Sequence, residues 1–215
     1  MTERDVGPNL YTSNYCEENV YRLIAQRLDC LSHVDSDNSR EFVTNLSEDV
    51  DKFTVIFISN ANRQIPLFCQ KSRSSSYVIW DYHVILMEDT GQEFIIWDYD
   101  STLPFPCEFS KYFEKSLNDN NQYNIPDPLK RMFRFIPAKH YLRLFNNDRS
   151  HMKLENGDWS SPPPQWTAIF KTDSKSNIHD FISMDRTQLS DVSFIMKEDD
   201  DLSRGVLQRE LSVIQ

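Results

Sequence analysis

Val20, Leu23, Ile24, Leu28 and Leu31 recur at helical spacing, and Glu17 and Glu18 lie in the first turn, where the helix dipole favours carboxylates. Ser13 or Asn14 is placed to cap that helix, so Cys16 falls at its N-terminus. Ser32 to Ser47 is polar and irregular, whereas Phe53 to Ser59 is rich in Val, Ile and Phe and predicts a buried strand. Pro66 ends or edges the element after it. Val78 to Met87 and Glu93 to Asp98 are two further β-rich runs. Leu103 to Cys107 is too proline-dense for a helix or a central strand and is expected to be a fixed loop. Spacings of three and four among Phe109, Tyr112, Phe113 and Leu117 predict a short amphipathic helix over Glu108 to Leu117. Phe133 to Ile136 reads as a strand, Ala138 to Phe145 as another helix, and Pro162 to Pro164 as a polyproline surface stretch. Residues 1–13 show little periodicity and are expected to be a mobile lead-in, with a single domain over 14–185. The pattern weakens over 186–215, where Lys197 to Asp201 reads as a solvated charge run.

The two runs joined by Asp89-Thr90-Gly91-Gln92 are most economically an antiparallel hairpin. Whether Thr90 and Gly91 form a two-residue turn or Asp89 to Gln92 a four-residue loop, the register sets His83 directly opposite Asp98. Cross-strand neighbours share a face with Cβ atoms about 4.5 to 5.5 Å apart, within reach of an imidazole–carboxylate hydrogen bond. Asp100 lies one diagonal step away on the same face.

The chain has 215 residues, 39% of them hydrophobic and 13% aromatic, which is ample for one core. Its formal charge of −10 and lack of basic runs argue against nucleic-acid binding. Only four glycines occur, so neither a dinucleotide fingerprint nor a phosphate loop can be assembled. No apolar run approaches the roughly 20 residues of a membrane span, and the first residues do not resemble a signal peptide. Four cysteines without a CxxC pair imply free thiols in a reducing compartment. The expected state is a soluble intracellular monomer in the cytoplasm, with the nucleus as a second compartment.

A thiol at a helix N-terminus is favoured as thiolate, which draws its pKa below about 8.5. With His83 to take its proton and Asp98 to fix the imidazole tautomer, Cys16 has what acyl transfer requires. The same residues also fit a buried, inert cysteine and a structural histidine. Cys30, Cys69 and Cys107 lack a helix-start context, and the five histidines show no zinc spacing, so no metal or other cofactor is expected.

Tyr15 to Asn19, Val55 to Asn60, Val78 to Val84 with its WDYHV pentapeptide, Leu103 to Cys107 and Asp148 to Met152 resemble the protein N-terminal glutamine amidohydrolases. The resemblance spans about residues 11 to 185. It implies an α+β fold, an α-β-α sandwich with a mainly antiparallel sheet, and a transglutaminase- or papain-like Cys-His-Asp site. It implies hydrolysis of the side-chain amide of N-terminal glutamine in proteins and peptides to glutamate and ammonia through a cysteine thioester, feeding the N-degron pathway. The family's nucleophile, base and orienting carboxylate fall on Cys16, His83 and Asp98. A reader for the substrate's free α-ammonium should be an acid, for which Glu17, Asp81 and Asp100 are candidates. Trp80, Tyr82 and Phe105 are candidate walls for the aliphatic part of the side chain. Two other readings share these residues: a cysteine protease or transglutaminase, and a non-catalytic binding protein.

Overall fold

Strand β1, Phe53–Ser59, is buried at every position, because it lies in the middle of a six-stranded sheet in the order β6-β5-β4-β1-β7-β8. The computed structural model describes residues 10–34, 46–72, 77–117, 124–170, 175–185 and 193–214. The other sheet strands are β4 (His83–Asp89), β5 (Phe94–Trp97), β6 (Cys107–Glu108), β7 (Met132–Pro137) and β8 (Phe194–Lys197), each antiparallel to its neighbours. Alternation along β1 sends Val55 and Phe57 to one face and Ile56 and Ile58 to the other.

On the first face lie helices α1 (Cys16–Arg27), α4 (Ala138–Leu144) and α5 (Ile178–Ile182). Val20, Leu23, Ile24, Tyr141, Leu142, Ile178 and Phe181 pack there against Phe57, Val84 and Leu86. The second face is covered by α3 (Phe109–Tyr112), with its π-helical continuation Phe113–Leu117, and by α6 (Arg204–Ile214). Tyr112, Leu117, Leu207 and Leu211 meet Ile58, Ile85, Met87 and Phe135 on that side. The protein is therefore α+β, with a mainly antiparallel sheet and helices on both faces.

Several elements differ from the sequence expectation. The first helix stops at Arg27, Asp29 adopts a left-handed φ of 54°, and a separate turn, α2 (Leu31–Val34), follows. The run from Val78 to Met87 is two strands in two sheets. Its first part, β3 (Val78–Trp80), pairs with β2 (Ile65–Leu67), and Asp81 and Tyr82 separate it from β4. Ser59 Oγ donates to the Asp81 carbonyl (2.7 Å) and the Tyr82 N–H to Asp81 Oδ1 (3.0 Å), which fixes the break.

The hairpin register is displaced by two residues, because the loop is Thr90 to Glu93. Asp89 pairs with Phe94 and Leu86 with Trp97, and the loop is closed by a bond from the Thr90 N–H to the Glu93 carbonyl (3.0 Å). A two-residue slip preserves the face of every side chain. His83, Asp98 and Asp100 therefore remain on one face.

Both chain ends contribute more than their patterns suggest. Leu10 is buried, and the Tyr11 hydroxyl donates to Asp100 Oδ1 at 2.6 Å, so residues 10–13 are tied down; residues 1–9 lie outside the described residues. Beyond Asp185, β8 forms an edge of the main sheet and α6 buries Leu207 and Leu211. Within the charge run, Glu198 Oε2 accepts from the backbone N–H (2.9 Å) and Nε (3.0 Å) of the fully buried Arg131.

Candidate active site

Cys16 is the first residue of α1, but neither Ser13 nor Asn14 caps that helix. Tyr15 is the N-cap residue, without a side-chain cap bond, and Asn14 is left-handed at φ 66°. The start is instead held from within the helix. Asn19 accepts from the Thr12 N–H (2.9 Å) and donates to the Thr12 carbonyl (2.8 Å), while the buried Tyr15 donates its hydroxyl to Ser161 O (3.0 Å). The lead-in is thereby stitched to the first turn, much as a capping box would do it.

His83 opens β4 and Asp98 directly follows β5. His83 Nε2 lies 2.9 Å from Asp98 Oδ1, with both side chains buried. Asp98 also accepts the Tyr112 hydroxyl at Oδ2 (2.8 Å) and the Asp100 N–H at Oδ1 (2.9 Å). Burial works against the Asp98 charge, yet His83 and these donors together hold its carboxyl below the usual range. For His83, burial works to lower the pKa, but the Asp98 charge and hydrogen bond outweigh it and the net shift is upward. With an ionised Asp98 as acceptor, Nε2 carries the proton and Nδ1 is left as the basic nitrogen. The Trp80 ring stacks on the imidazole (5.8 Å between centroids, 17° between planes) and sets its orientation.

The β4–β5 ladder ends at Leu86 and Trp97, so the backbone at His83 to Ile85 has no β5 partner. The Val84 N–H faces the Cys16 sulfur there, one residue from the imidazole. The thiol is not drawn toward the thiolate as its place on the helix suggests. Burial pushes its pKa well up, and the charges of Glu17, Asp100 and Asp81 add to that, against the Val84 hydrogen bond. Burial, which the local sequence pattern does not express, outweighs the helix dipole, and the resting sulfur is a protonated thiol.

Glu17 is fully enclosed. Its Oε2 accepts from the Tyr82 hydroxyl (3.2 Å) and faces Cys16 Sγ (3.7 Å), and its Oε1 accepts from Asn147 Nδ2 (3.2 Å). Those are the surroundings of a buried partner of the thiol, not of an acid open to an incoming ammonium. Asp100 is buried and its Oδ1 is occupied by Tyr11. Asp81 is exposed, its backbone and one carboxylate oxygen are fixed, and its charge is felt at Cys16, Tyr82 and His151. Phe105 packs on Trp97 (5.1 Å) and Tyr99 (4.6 Å). Among the described residues, ligand atoms of His83, Asp98 and Asp100 lie within 4.8 Å of one another and could face a cation, although Asp98 and Asp100 already accept the donors named above.

Sequence reasoning passed over three contributors. Tyr112 was placed on a core face, where the signal would have been its hydroxyl, since a buried tyrosine O–H needs a partner. His151 Nε2 lies 3.3 Å from the Tyr82 hydroxyl and 3.9 Å from Glu17 Oε1. Arg149 binds the buried Glu18 through Nε and a terminal nitrogen, both at 2.7 Å, and Trp166 Nε1 donates to the same carboxylate (2.8 Å). That clamp anchors the 149–166 segment to α1.

Helix α1, headed by Cys16, packs against β4, whose first residue is the His83 that pairs with Asp98, on a mainly antiparallel α+β scaffold. Residues 11–204 match the family model described as N-terminal glutamine amidase, and the chain belongs to that family. Relatives named protein N-terminal glutamine amidohydrolase include those of Bos taurus and Homo sapiens, each 38% identical over 179 residues, or 82% of this chain and 78% of theirs. The relative of that name from Oryza sativa subsp. indica is 33% identical over 213 residues, covering 96% of this chain and 86% of its own.

Proposed function

We propose that Cys16, His83 and Asp98 form the reacting centre with which this protein hydrolyses the side-chain amide of glutamine at protein N-termini. The single observation that carries the reading is the buried His83–Asp98 pair, at 2.9 Å, set one residue from the Val84 N–H that faces the thiol.

His83 Nδ1 takes the thiol proton as sulfur attacks the Cδ carbonyl of the substrate glutamine. An S–C bond forms, the imidazolium passes its proton to the departing nitrogen, and the C–N bond breaks to release ammonia. Water, deprotonated by the same imidazole, then attacks the thioester. The S–C bond breaks, the proton returns to the thiol, and N-terminal glutamate leaves. Because the resting thiol is protonated, base and nucleophile act in concert as substrate fills the site. Asp98 holds the proton-bearing Nε2 throughout, and the Cys16 backbone N–H, at the start of α1, is an oxyanion donor.

Asp81 is the reader of the α-ammonium. It is the exposed one of the three candidate acids, it is fixed through Ser59 and Tyr82, and its field reaches the nucleophile. Its carboxylate gives the reaction its restriction to the first residue of a chain. Trp80 acts through His83, as the ring that orients it. The protein acts as a monomer in the cytoplasm, and its product, an N-terminal glutamate, enters the N-degron route to degradation.

Three matched peptides test this reading: one beginning with Gln, one N-acetylated at that Gln, and one with Gln inside, followed by mass and ammonia release. A gain of about one dalton on the first alone, lost in Cys16→Ala, is expected. Conversion of all three would replace it with a general glutamine acyl-transfer enzyme, and conversion of none by folded protein would overturn it.

A further inference from the structure

Beside the thiol stands a carboxyl that the mechanism above leaves unused. Glu17 Oε2 is 3.7 Å from Cys16 Sγ, and the side chain is pinned by Tyr82 at one oxygen and Asn147 at the other. Its backbone is held as well, since the Tyr141 hydroxyl donates to the Glu17 carbonyl at 2.9 Å.

We propose that Glu17 is a catalytic hydrogen-bond donor to the Cys16 sulfur, turning its carboxyl O–H onto the thiolate as His83 removes the thiol proton. The proposal rests on the reading of Cys16 as nucleophile and deepens it. In the resting state the thiol S–H donates to Glu17 Oε2. Once that proton is on His83 the sulfur is anionic, and the O–H of a neutral Glu17 becomes the donor across the same 3.7 Å. Glu17 ends the cycle with the proton it began with, so no co-reactant is needed.

The ionisable groups around Glu17 agree with a neutral carboxyl. From α1 and its cap come Cys16, Glu18 and Tyr15, from the β4 side Tyr82 and His83, from α4 Tyr141, and from the following loop His151. Arg149 is engaged by Glu18 at 2.7 Å. His151, 3.9 Å away, is kept neutral because burial lowers its pKa. Burial first, and the Glu18 charge second, push the Glu17 carboxyl up to about 8, against the hydrogen bonds from its own N–H, Tyr82 and Cys16. A buried carboxyl that merely filled space would not need to face the nucleophile, and a charged one there would oppose the thiolate.

The test compares wild type, Glu17→Gln, Glu17→Ala and Tyr82→Phe by kcat/KM on the N-terminal Gln peptide, by the pH dependence of kcat at saturating peptide, and by that of iodoacetamide alkylation of Cys16. Alanine removes the donor and should lower kcat/KM by about 10²- to 10³-fold, whereas glutamine, whose amide can still donate, should recover at least about tenfold of that loss. Wild-type kcat, read at saturating peptide so that loss of the substrate's own α-ammonium does not enter, should fall on the alkaline side as Glu17, with its pKa of about 8, ionises, and Glu17→Gln should lack that fall. Tyr82→Phe removes a hydrogen bond that favours the charged carboxyl, so its fall should move upward. Alkylation needs no substrate: above that pH the glutamine variant should react faster than wild type by a growing factor. An alkaline limb unchanged in Glu17→Gln, or a glutamine variant no better than alanine with native circular dichroism, overturns the proposal. Should the Glu17 variants not fold, a Tyr82→Phe limb that stays in place overturns it. If no form deamidates the peptide, the alkylation profiles decide on Glu17 while the amidase reading falls separately.

Discussion

His83 Nε2 and Asp98 Oδ1 are 2.9 Å apart, with both side chains only 2% exposed. Such a pair fixes one tautomer and raises the basicity of the opposite nitrogen. Asp98→Asn should therefore reduce kcat by about 10²- to 10⁴-fold while leaving the protein folded. The acid limb of kcat/KM tests the linkage. His83 must be neutral to accept the thiol proton, and its pKa lies above the ordinary 6.5 because Asp98 outweighs burial. In wild type the limb should lie above that value, and in Asp98→Asn, where only the smaller influences of Asp100 and Glu17 oppose burial, it should move to lower pH. A limb that does not move would detach Asp98 from the base.

Asp81→Asn should act on binding. A charge-assisted hydrogen bond contributes about 1.5 to 3 kcal/mol, so KM for N-terminal Gln peptides should rise about 10- to 100-fold with kcat little changed. Preference for the free over the acetylated N-terminus should narrow in parallel. Equal losses in kcat and kcat/KM would instead mark Asp81 as part of the chemistry.

How far the sequence reveals this site is seen in the same residues. The face shared by His83, Asp98 and Asp100 was legible because side-chain parity survives a two-residue slip. The slip itself was not, because the Thr90 to Glu93 loop is chosen by its own hydrogen bonds. Val78 to Met87 reads as one run because hydrophobicity does not record the Ser59–Asp81 bond that breaks it. Cys16 at a helix start was legible, but its protonation was not: the dipole is local, whereas burial is set by elements far away in the chain. Glu17 reads as a surface acid of a first turn for the same reason.

The Arg149–Glu18 clamp is a stability element of the site wall. Glu18 is fully buried and meets Arg149 through two bonds of 2.7 Å. Breaking one partner of a buried pair costs about 3 to 5 kcal/mol, so Glu18→Gln should shift the urea midpoint accordingly. Replacing both residues together, as Glu18→Leu with Arg149→Met, should recover part of that loss. A double variant as unstable as the sum of the singles would show that the two side chains act independently.

Glu198 makes the same kind of contact at the other end of the chain. Arg131 is fully buried, and it also donates to the Pro66 carbonyl at 3.0 Å. Glu198→Ala should destabilise the fold by about 3 kcal/mol, toward the lower end for a broken buried pair because Glu198 is 18% exposed. Replacing Asp200 or Asp201, both exposed and each accepting a nearby backbone N–H, from Lys197 and Ser203, should lower the melting temperature by less. The run Lys197 to Asp201 looks uniform in sequence, and its partners separate the acids: Glu198 meets the buried Arg131, Asp199 meets the more exposed Lys130 at 2.9 Å, and Asp200 and Asp201 accept from nearby backbone N–H groups.

The early end of the β4–β5 ladder has a further meaning. Two more paired positions, Ile85 with Asp98 and Val84 with Tyr99, would carry the ladder as far as Val84, satisfy its N–H within the sheet and close the gap through which the thiol reaches it. Such a sheet would be the sturdier one and the poorer catalyst. What is missing from the hairpin is thus a trade of rigidity for reactivity, written in strand length, and it places the scope for making this protein more stable everywhere except at that edge.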